Sequence, residues 1–284
     1  MGTTQGCLTL RNMSSDSSAA HLSCTVEAGI ARVTLNRPEK LNGLTLEMLG
    51  ALAGTARRLR NDRSLRAVIL SGTGESFCAG LDFATVLKSP RAIATAFVPR
   101  PWLGTNTFQE ACWAWRRLPL PVVAAVHGHC FGGGLQIALG ADFRFTTPDA
   151  QWSVLEAKWG LIPDMSGIQS LTEVVGLDVA KRLTMTGAVV SGEEAASIGL
   201  ATGLADDPVS AAEDLIAEIV TRSPDAVAAA KRLFDGTWST GPRRTFARER
   251  AEQLRLLMRT PNTRRAQRAA FAKETADFGP RRKR

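Results

Sequence analysis

Among these 284 residues there is no run of about 18 apolar residues, so no membrane-spanning helix is expected. The cysteines (Cys7, Cys24, Cys78, Cys112 and Cys130) are odd in number and lack any CxxC spacing. That argues against a disulfide framework and for reduced packing thiols in a cytoplasmic protein. Residues 1–23 are rich in Ser, Thr and Ala but have neither the basic start nor the apolar centre of a secretory signal. Gly6 occupies the place where a myristoylation motif needs Ser or Thr. A disordered leader is the expectation for 1–23. Neither a GxSxG elbow nor a GxxxxGK phosphate loop occurs, which disfavours a serine hydrolase and a P-loop enzyme. His127 and His129 flank Gly128 with no further ligand cluster nearby, so no metal site is expected.

What is present is an ordinary globular composition, 44% hydrophobic and 22% charged, with a lopsided net charge of +8. Residues 241–284 hold fourteen Lys/Arg against four Asp/Glu, a local balance of +10. The other 240 residues carry 21 basic and 23 acidic side chains, a balance of −2. The basicity thus belongs to the C-terminal segment. It reads either as a solvated helix face with a frayed Arg-Arg-Lys-Arg tail, or as a surface for nucleic acid, a phosphorylated ligand or an acidic neighbouring subunit.

Period-2 apolar positions over 24–35, broken at Ala28-Gly29, predict a hairpin. Thr45 is placed to cap a helix reaching about Arg60, with Leu46, Leu49, Leu52 and Leu59 at helical spacing. Short strands are expected at 66–71, 121–126 and 142–146, and helices at 104–117 and 133–140. Ser191-Gly192-Glu193-Glu194 reads as a capping box. From about Pro208 the pattern is helical, with starts at Ser223-Pro224 and near Pro242 and Pro261. The fold class is therefore α/β, with a body over 24–205 and an all-helical segment over 206–284.

The most informative stretch is Gly-His-Cys-Phe-Gly-Gly-Gly-Leu-Gln at 128–136, directly after the buried strand 121–126. Glycines at a helix start let another molecule approach bare backbone, and the first N–H groups of a helix lack intrahelical partners. The amide of Gly133 is one candidate donor to a developing oxyanion. A second is the amide of Leu81, after Gly80 in the loop Cys-Ala-Gly-Leu-Asp at 78–82. Two carboxylates follow, Glu156 and Asp164. Gln136, one turn after Gly133, is expected to face the pocket, where its amide could orient a water but not exchange protons. Asp164 has a second reading as the cap of a helix over 166–174. Trp152 and Trp159 read as core residues, with pocket lining as the alternative.

Four segments, Asn-Arg-Pro-Glu-Lys-Leu-Asn-Gly-Leu at 36–44, Ser-Phe-Cys-Ala-Gly-Leu-Asp at 76–82, the stretch 122–142 and Trp-Gly-Leu-Ile-Pro at 159–163, carry a resemblance. In order and spacing, from about residue 24 to 235, they resemble the crotonase (enoyl-CoA hydratase/isomerase) superfamily. The resemblance implies a spiral of ββα units, with C-terminal helices that build a homotrimer or dimer of trimers. It implies an acyl-CoA thioester substrate, coenzyme A being part of the substrate and no separate cofactor being needed. The thioester oxygen would lie between the amides of Leu81 and Gly133, and Lys40, Asp82, Phe83 and Ala84 would meet the coenzyme A portion.

Family hydratases carry glutamates at the positions of Gln136 and Glu156, and this chain keeps only the second. Dienoyl-CoA isomerases of the family carry acids at the positions of Glu156 and Asp164, and a third where this chain has Gln136, while simple enoyl-CoA isomerases manage with one carboxylate. The expectation is therefore double-bond isomerisation with Glu156 as base, helped by Asp164, with single-glutamate hydration as the alternative. A reading of another class is an RNA-binding scaffold using the C-terminal arginines. With no RRM or KH signature, nucleic acid is not the expected partner.

Overall fold

The computed structural model describes residues 21–282. It opens with the hairpin of β1 (Leu22–Glu27) and β2 (Ile30–Leu35), turning through Ala28 and Gly29, both at positive φ. β1 begins two residues before the expected start of the body; the earlier part of the expected leader lies outside the described residues. Thr45 caps α1 (Leu46–Asn61) by accepting from the Met48 amide, and β3 (Ala67–Gly72) follows. The short α2 (Phe83–Val86) and α3 (Pro90–Phe97) lead to α4 (Thr107–Arg116). Asn106 and Gln109 close a full capping box on α4. β4 (Val122–Val126), β5 (His129–Phe131), α5 (Gly133–Ala138), β6 (Phe143–Thr146) and β7 (Gln151–Ser153) come next.

The second half runs through α6 (Gly167–Val175), α7 (Leu177–Thr186), β8 (Val189–Ser191), α8 (Gly192–Ser197) and β9 (Gly203–Leu204). It ends in helices α9 (Pro208–Val220), α10 (Pro224–Thr237), α11 (Pro242–Arg259) and α12 (Pro261–Ala272). At α8 the expected capping box is half made. Ser191 accepts from the Glu194 amide, but the Glu194 carboxylate turns to Arg182, 3.2 Å away.

Six strands form one sheet in the order β1-β2-β3-β4-β6-β9, parallel except for the β1–β2 hairpin. Parallel order requires crossovers, and the helices supply them. A second sheet, β5-β7-β8, branches off after Gly128. Alternate residues of the central strands face opposite layers. Val68, Leu70, Val122 and Ala124 join the large core with Leu49, Leu52 and Trp115 from α1 and α4. Ala67, Ile69, Val123 and Ala125 instead meet Ala212 and Ile216 of α9. Each fully buried aliphatic side chain contributes roughly 1.5–3 kcal/mol. α9 therefore packs with the body, past the expected boundary at 205, because its Ala212 and Ile216 cover that face of the sheet.

The last described residues, Arg281 and Arg282, are also tied down; Lys283 and Arg284 of the expected tail lie outside the described residues. Arg281 is 4% exposed, donating to the carbonyls of Leu65 (3.3 Å) and Asp62 (3.0 Å), while Arg63 donates to the Arg281 carbonyl at 2.6 Å. The Arg282 amide donates to Asp225, 2.8 Å away. The expectation of a frayed tail fails here: a guanidinium that satisfies two orphan carbonyls is held in place by them. On α10, α11 and α12, Trp238, Phe246, Met258 and Phe271 stay exposed. Among the described residues no helix is long and apolar enough to cross a membrane.

Candidate active site

Three loops converge where the two sheets part. The first, 36–44, is knotted by Asn42, fully buried at φ +56°. Its side chain accepts from the Arg37 amide and donates to the carbonyls of Thr73 (2.9 Å) and Ser76 (2.7 Å). The second, 73–82, is stitched on both sides. The Phe77 and Cys78 amides donate to His127 and His129 carbonyls at 2.8 and 2.9 Å, and the Leu44 amide donates to Gly80 at 2.8 Å. The third is the glycine turn 128–134.

Two glycines of that turn are dictated by contact. A Cβ on Gly128 would fall 1.9 Å from the Glu75 carbonyl oxygen, and one on Gly134 would fall 2.5 Å from that of Cys78. No side chain fits in either place.

This packing lays the two glycine loops side by side: a Cβ on Gly80, the residue before Leu81, would lie 3.7 Å from the Gly133 nitrogen. Among the described residues neither amide makes a backbone hydrogen bond: Asp82 N, not Leu81 N, donates to Leu44, and Gly133 is the first residue of α5. Both N–H groups are thus without a backbone acceptor among the described residues. Leu44 and the Met165 sulfur close over Gly133, with the sulfur 3.0 Å from where its Cβ would be.

Glu156 sits in the 3-10 turn Leu155–Trp159, against Gly132, whose missing Cβ would be 3.3 Å from Glu156 Oε1. Oε1 accepts from Gln136 Nε2 at 2.6 Å, whereas Oε2 is shielded from solvent and has no partner among the described residues. Burial pushes the Glu156 carboxyl above its ordinary range; the Asp164 charge adds to this and the Gln136 hydrogen bond opposes it. Asp164 is half-buried and also raised by burial. It does not cap α6: Ser166, at φ +74°, holds the N-cap position. Burial, above all, pushes the Cys112 thiol of α4 well above its ordinary range.

Gln136 departs from its expected role. It is 1% exposed, and besides its bond to Glu156 its oxygen accepts from the amides of Met165 (2.8 Å) and Gly167 (2.9 Å). The side chain is committed to protein partners rather than to a water. Asp82 is committed likewise. It accepts from Arg37 at 2.8 Å and from the Thr85 hydroxyl and amide, and the Arg37 hydrogen bond holds its carboxyl below the usual range.

Phe83 packs its ring on Trp159 with centroids 5.1 Å apart; Lys40, on the first loop, and Ala84, on α2, are exposed. Trp152 is core, its indole N–H on Thr146, but Trp159 is 60% exposed and lies with Phe83 at the mouth. Sequence reasoning passed over Arg37, Asn42 and Met165. Asn42-Gly43, a pair suited to left-handed backbone, was the one available signal.

Other nucleophiles and ligands are occupied. Burial pushes the Cys78 thiol up to about 12, which leaves it protonated near neutrality. His129 Nδ1 lies 2.8 Å from the fully buried Ser76 hydroxyl, and His127 Nε2 lies 2.9 Å from the Gly74 carbonyl. Among the described residues no three His, Cys, Asp or Glu side chains gather in a metal-binding group.

A family model described as enoyl-CoA hydratase/isomerase matches residues 25–280. The short-chain-enoyl-CoA hydratase of Clostridium acetobutylicum is 34% identical over 215 residues, 74% of this chain and 78% of that protein. The 1,2-epoxyphenylacetyl-CoA isomerase of Escherichia coli is 31% identical over 258 residues, 89% of this chain and 96% of that one. Among solved structures, an enoyl-CoA hydratase from Bacillus anthracis superposes with a TM-score of 0.82 at 25% identity, covering 91% of this chain and 98% of that one.

Proposed function

The chain belongs to the enoyl-CoA hydratase/isomerase family and has its crotonase fold, and from that premise we propose that it shifts a double bond in an enoyl- or dienoyl-CoA with Glu156 as the base. The observation that carries this reading is the make-up of the hydrogen-bonded pair Gln136 and Glu156. One member is a dehydrated carboxylate with a free oxygen, and the other is an amide that cannot exchange protons. Water addition shared between two acids lacks its second acid here. A shuttle needs only one.

In a 3-enoyl-CoA, Glu156 Oε2 would take the proton from C2. The electron pair moves through the thioester to its oxygen, where the Leu81 and Gly133 amides receive the charge. The protonated Glu156 returns the proton to C4, leaving the double bond between C2 and C3. Each amide would lower the barrier by about 3 kcal/mol, the scale found for removing one such donor. Asp164 would repel the Glu156 charge and so favour proton pick-up. The thioester's nucleotide end would run past Lys40, Phe83 and Ala84 at the mouth. A trimer is the proposed assembly, supported by the exposed apolar residues Trp238, Phe246 and Met258; light scattering reads it directly.

Conversion of trans-3-enoyl-CoA, followed by the absorbance of the conjugated thioester, tests the reaction. In deuterated water a single-base shuttle carries part of the C2 proton to C4, so the product keeps some protium there. Hydration of trans-2-enoyl-CoA at a higher kcat/KM than isomerisation of the trans-3 isomer would overturn the assignment. The hydratase reading has a specific support of its own in the clostridial relative, and the same pair of substrates decides between them.

A further inference from the structure

We infer that Gln136 is a positioning residue that clamps Glu156 and the loop after Asp164 together, leaving Glu156 Oε2 as the single atom able to move a proton. The inference rests on Glu156 being the base. A glutamine amide has two unlike ends, and here the protein fixes which faces which. Two backbone N–H groups, of Met165 and Gly167, point at one end at 2.8 and 2.9 Å, and only an oxygen can accept them. Nε2 is therefore forced toward Glu156 Oε1, 2.6 Å away. A flip would set N–H against N–H twice and oxygen against oxygen once.

The backbone is shaped around both ends. A Cβ on Gly167 would strike Gln136 Oε1 at 2.6 Å, and a Cβ on Gly132 would come within 3.3 Å of Glu156 Oε1. Gly132 itself has φ +49° and ψ −117°, a conformation suited to glycine. Residues distant in sequence thus meet on one buried amide: α5 supplies Gln136, the 3-10 turn supplies Glu156, and the lead-in to α6 supplies Met165 and Gly167.

The consequence for chemistry is a division of labour within one carboxylate. Oε1 is held by a donor that stabilises the ionised form, so Glu156 stays able to ionise despite its burial. Oε2 has no partner and remains to react. The titratable groups whose charge couples to this carboxylate are Asp164, from the loop before α6, and the Cys112 thiol of α4, which burial keeps neutral. Gln136 is the neutral counterweight to both. A glutamate in its place could still accept from Met165 and Gly167 but would set a second carboxylate against Glu156 Oε1. One proton would then have to be shared between them.

The test compares wild type, Gln136→Met and Gln136→Glu by pH–rate profile and by infrared titration of the Glu156 carboxyl, identified by its loss in Glu156→Gln. With Gln136→Met the acid limb of kcat is expected to move up by about one pH unit, and kcat to fall roughly tenfold with KM little changed. Gln136→Glu should move the limb further in the same direction while keeping the fold, since its oxygen still receives the two amides.

An unshifted carboxyl titration in a folded Gln136→Met protein would overturn the clamp. Should that variant not fold, an unshifted titration in Gln136→Glu overturns it equally. Full activity in Glu156→Gln would instead remove the base assignment, and the infrared titration would still judge the clamp.

Discussion

Asp82 ends the loop 73–82 and Glu156 stands on the 3-10 turn against Gly132, and the protein treats them in opposite ways. Asp82 is bound by Arg37, by the Thr85 hydroxyl and by the Thr85 amide, and these partners hold it ionised. Glu156 has one side-chain donor, a second oxygen buried without a side-chain partner and a raised affinity for its proton. Saturating a carboxylate with partners makes it a structural fastener. Leaving it short of partners in a dry place costs stability and makes it a reagent. The contrast explains why an acid next to the Leu81 amide, expected to meet substrate, holds a loop instead.

The strongest way to break this contrast is to neutralise both acids. Glu156→Gln should lower kcat for double-bond migration by about a thousandfold with the fold intact, measured by the thioester absorbance. Asp82→Ala should do the reverse, costing about 2 kcal/mol of stability in urea unfolding and less than tenfold in rate. If Asp82→Ala abolished activity at unchanged stability, the division would be wrong.

The signs of the two shifts sharpen the contrast further. Asp82 has a depressed folded pKa, so its contribution to stability is present above the unfolded value and is lost as pH falls through the folded one. Glu156 and Asp164 have raised folded pKa values, so theirs is present below the unfolded value and lost as pH rises through the folded one. Activity, which needs ionised Glu156, should rise with pH through a midpoint above the ordinary glutamate value. The smallest effect is expected for Asp164→Asn. Thermal melts should show it more stable than wild type by less than about 1 kcal/mol at neutral pH, and no different in acid.

How far the sequence foretold this depended on how far apart the partners lie. The β1–β2 hairpin, the Thr45 cap and the glycine turn are local features, and each was legible from neighbouring residues. The glycines beside the Leu81 and Gly133 amides were also legible, because each lies within its own loop. The clamp was not. Gln136 bonds to residues 20, 29 and 31 positions away, and nothing in a helical register tells a side chain which loop will fold over it. Trp159 misled for a related reason: an indole in an apolar stretch reads as core until its loop is seen to run along the mouth. The pattern of α9 announced an amphipathic helix but not the surface it covers, which is set by the unoccupied face of the sheet. Arg281 looked like part of a solvated basic tail, yet it satisfies carbonyls more than 200 positions away.

The clamp at Gln136 has a consequence in inheritance. Glutamine and glutamate codons differ by a single base, and the two amides that hold position 136 accept either side chain. A lineage carrying this site is therefore one mutational step from placing an acid opposite Glu156, with the glycine turn, the donor amides and the loop anchors left unaltered. Change of reaction type in such a scaffold needs no rebuilding of the fold, and selection can test it in a single generation.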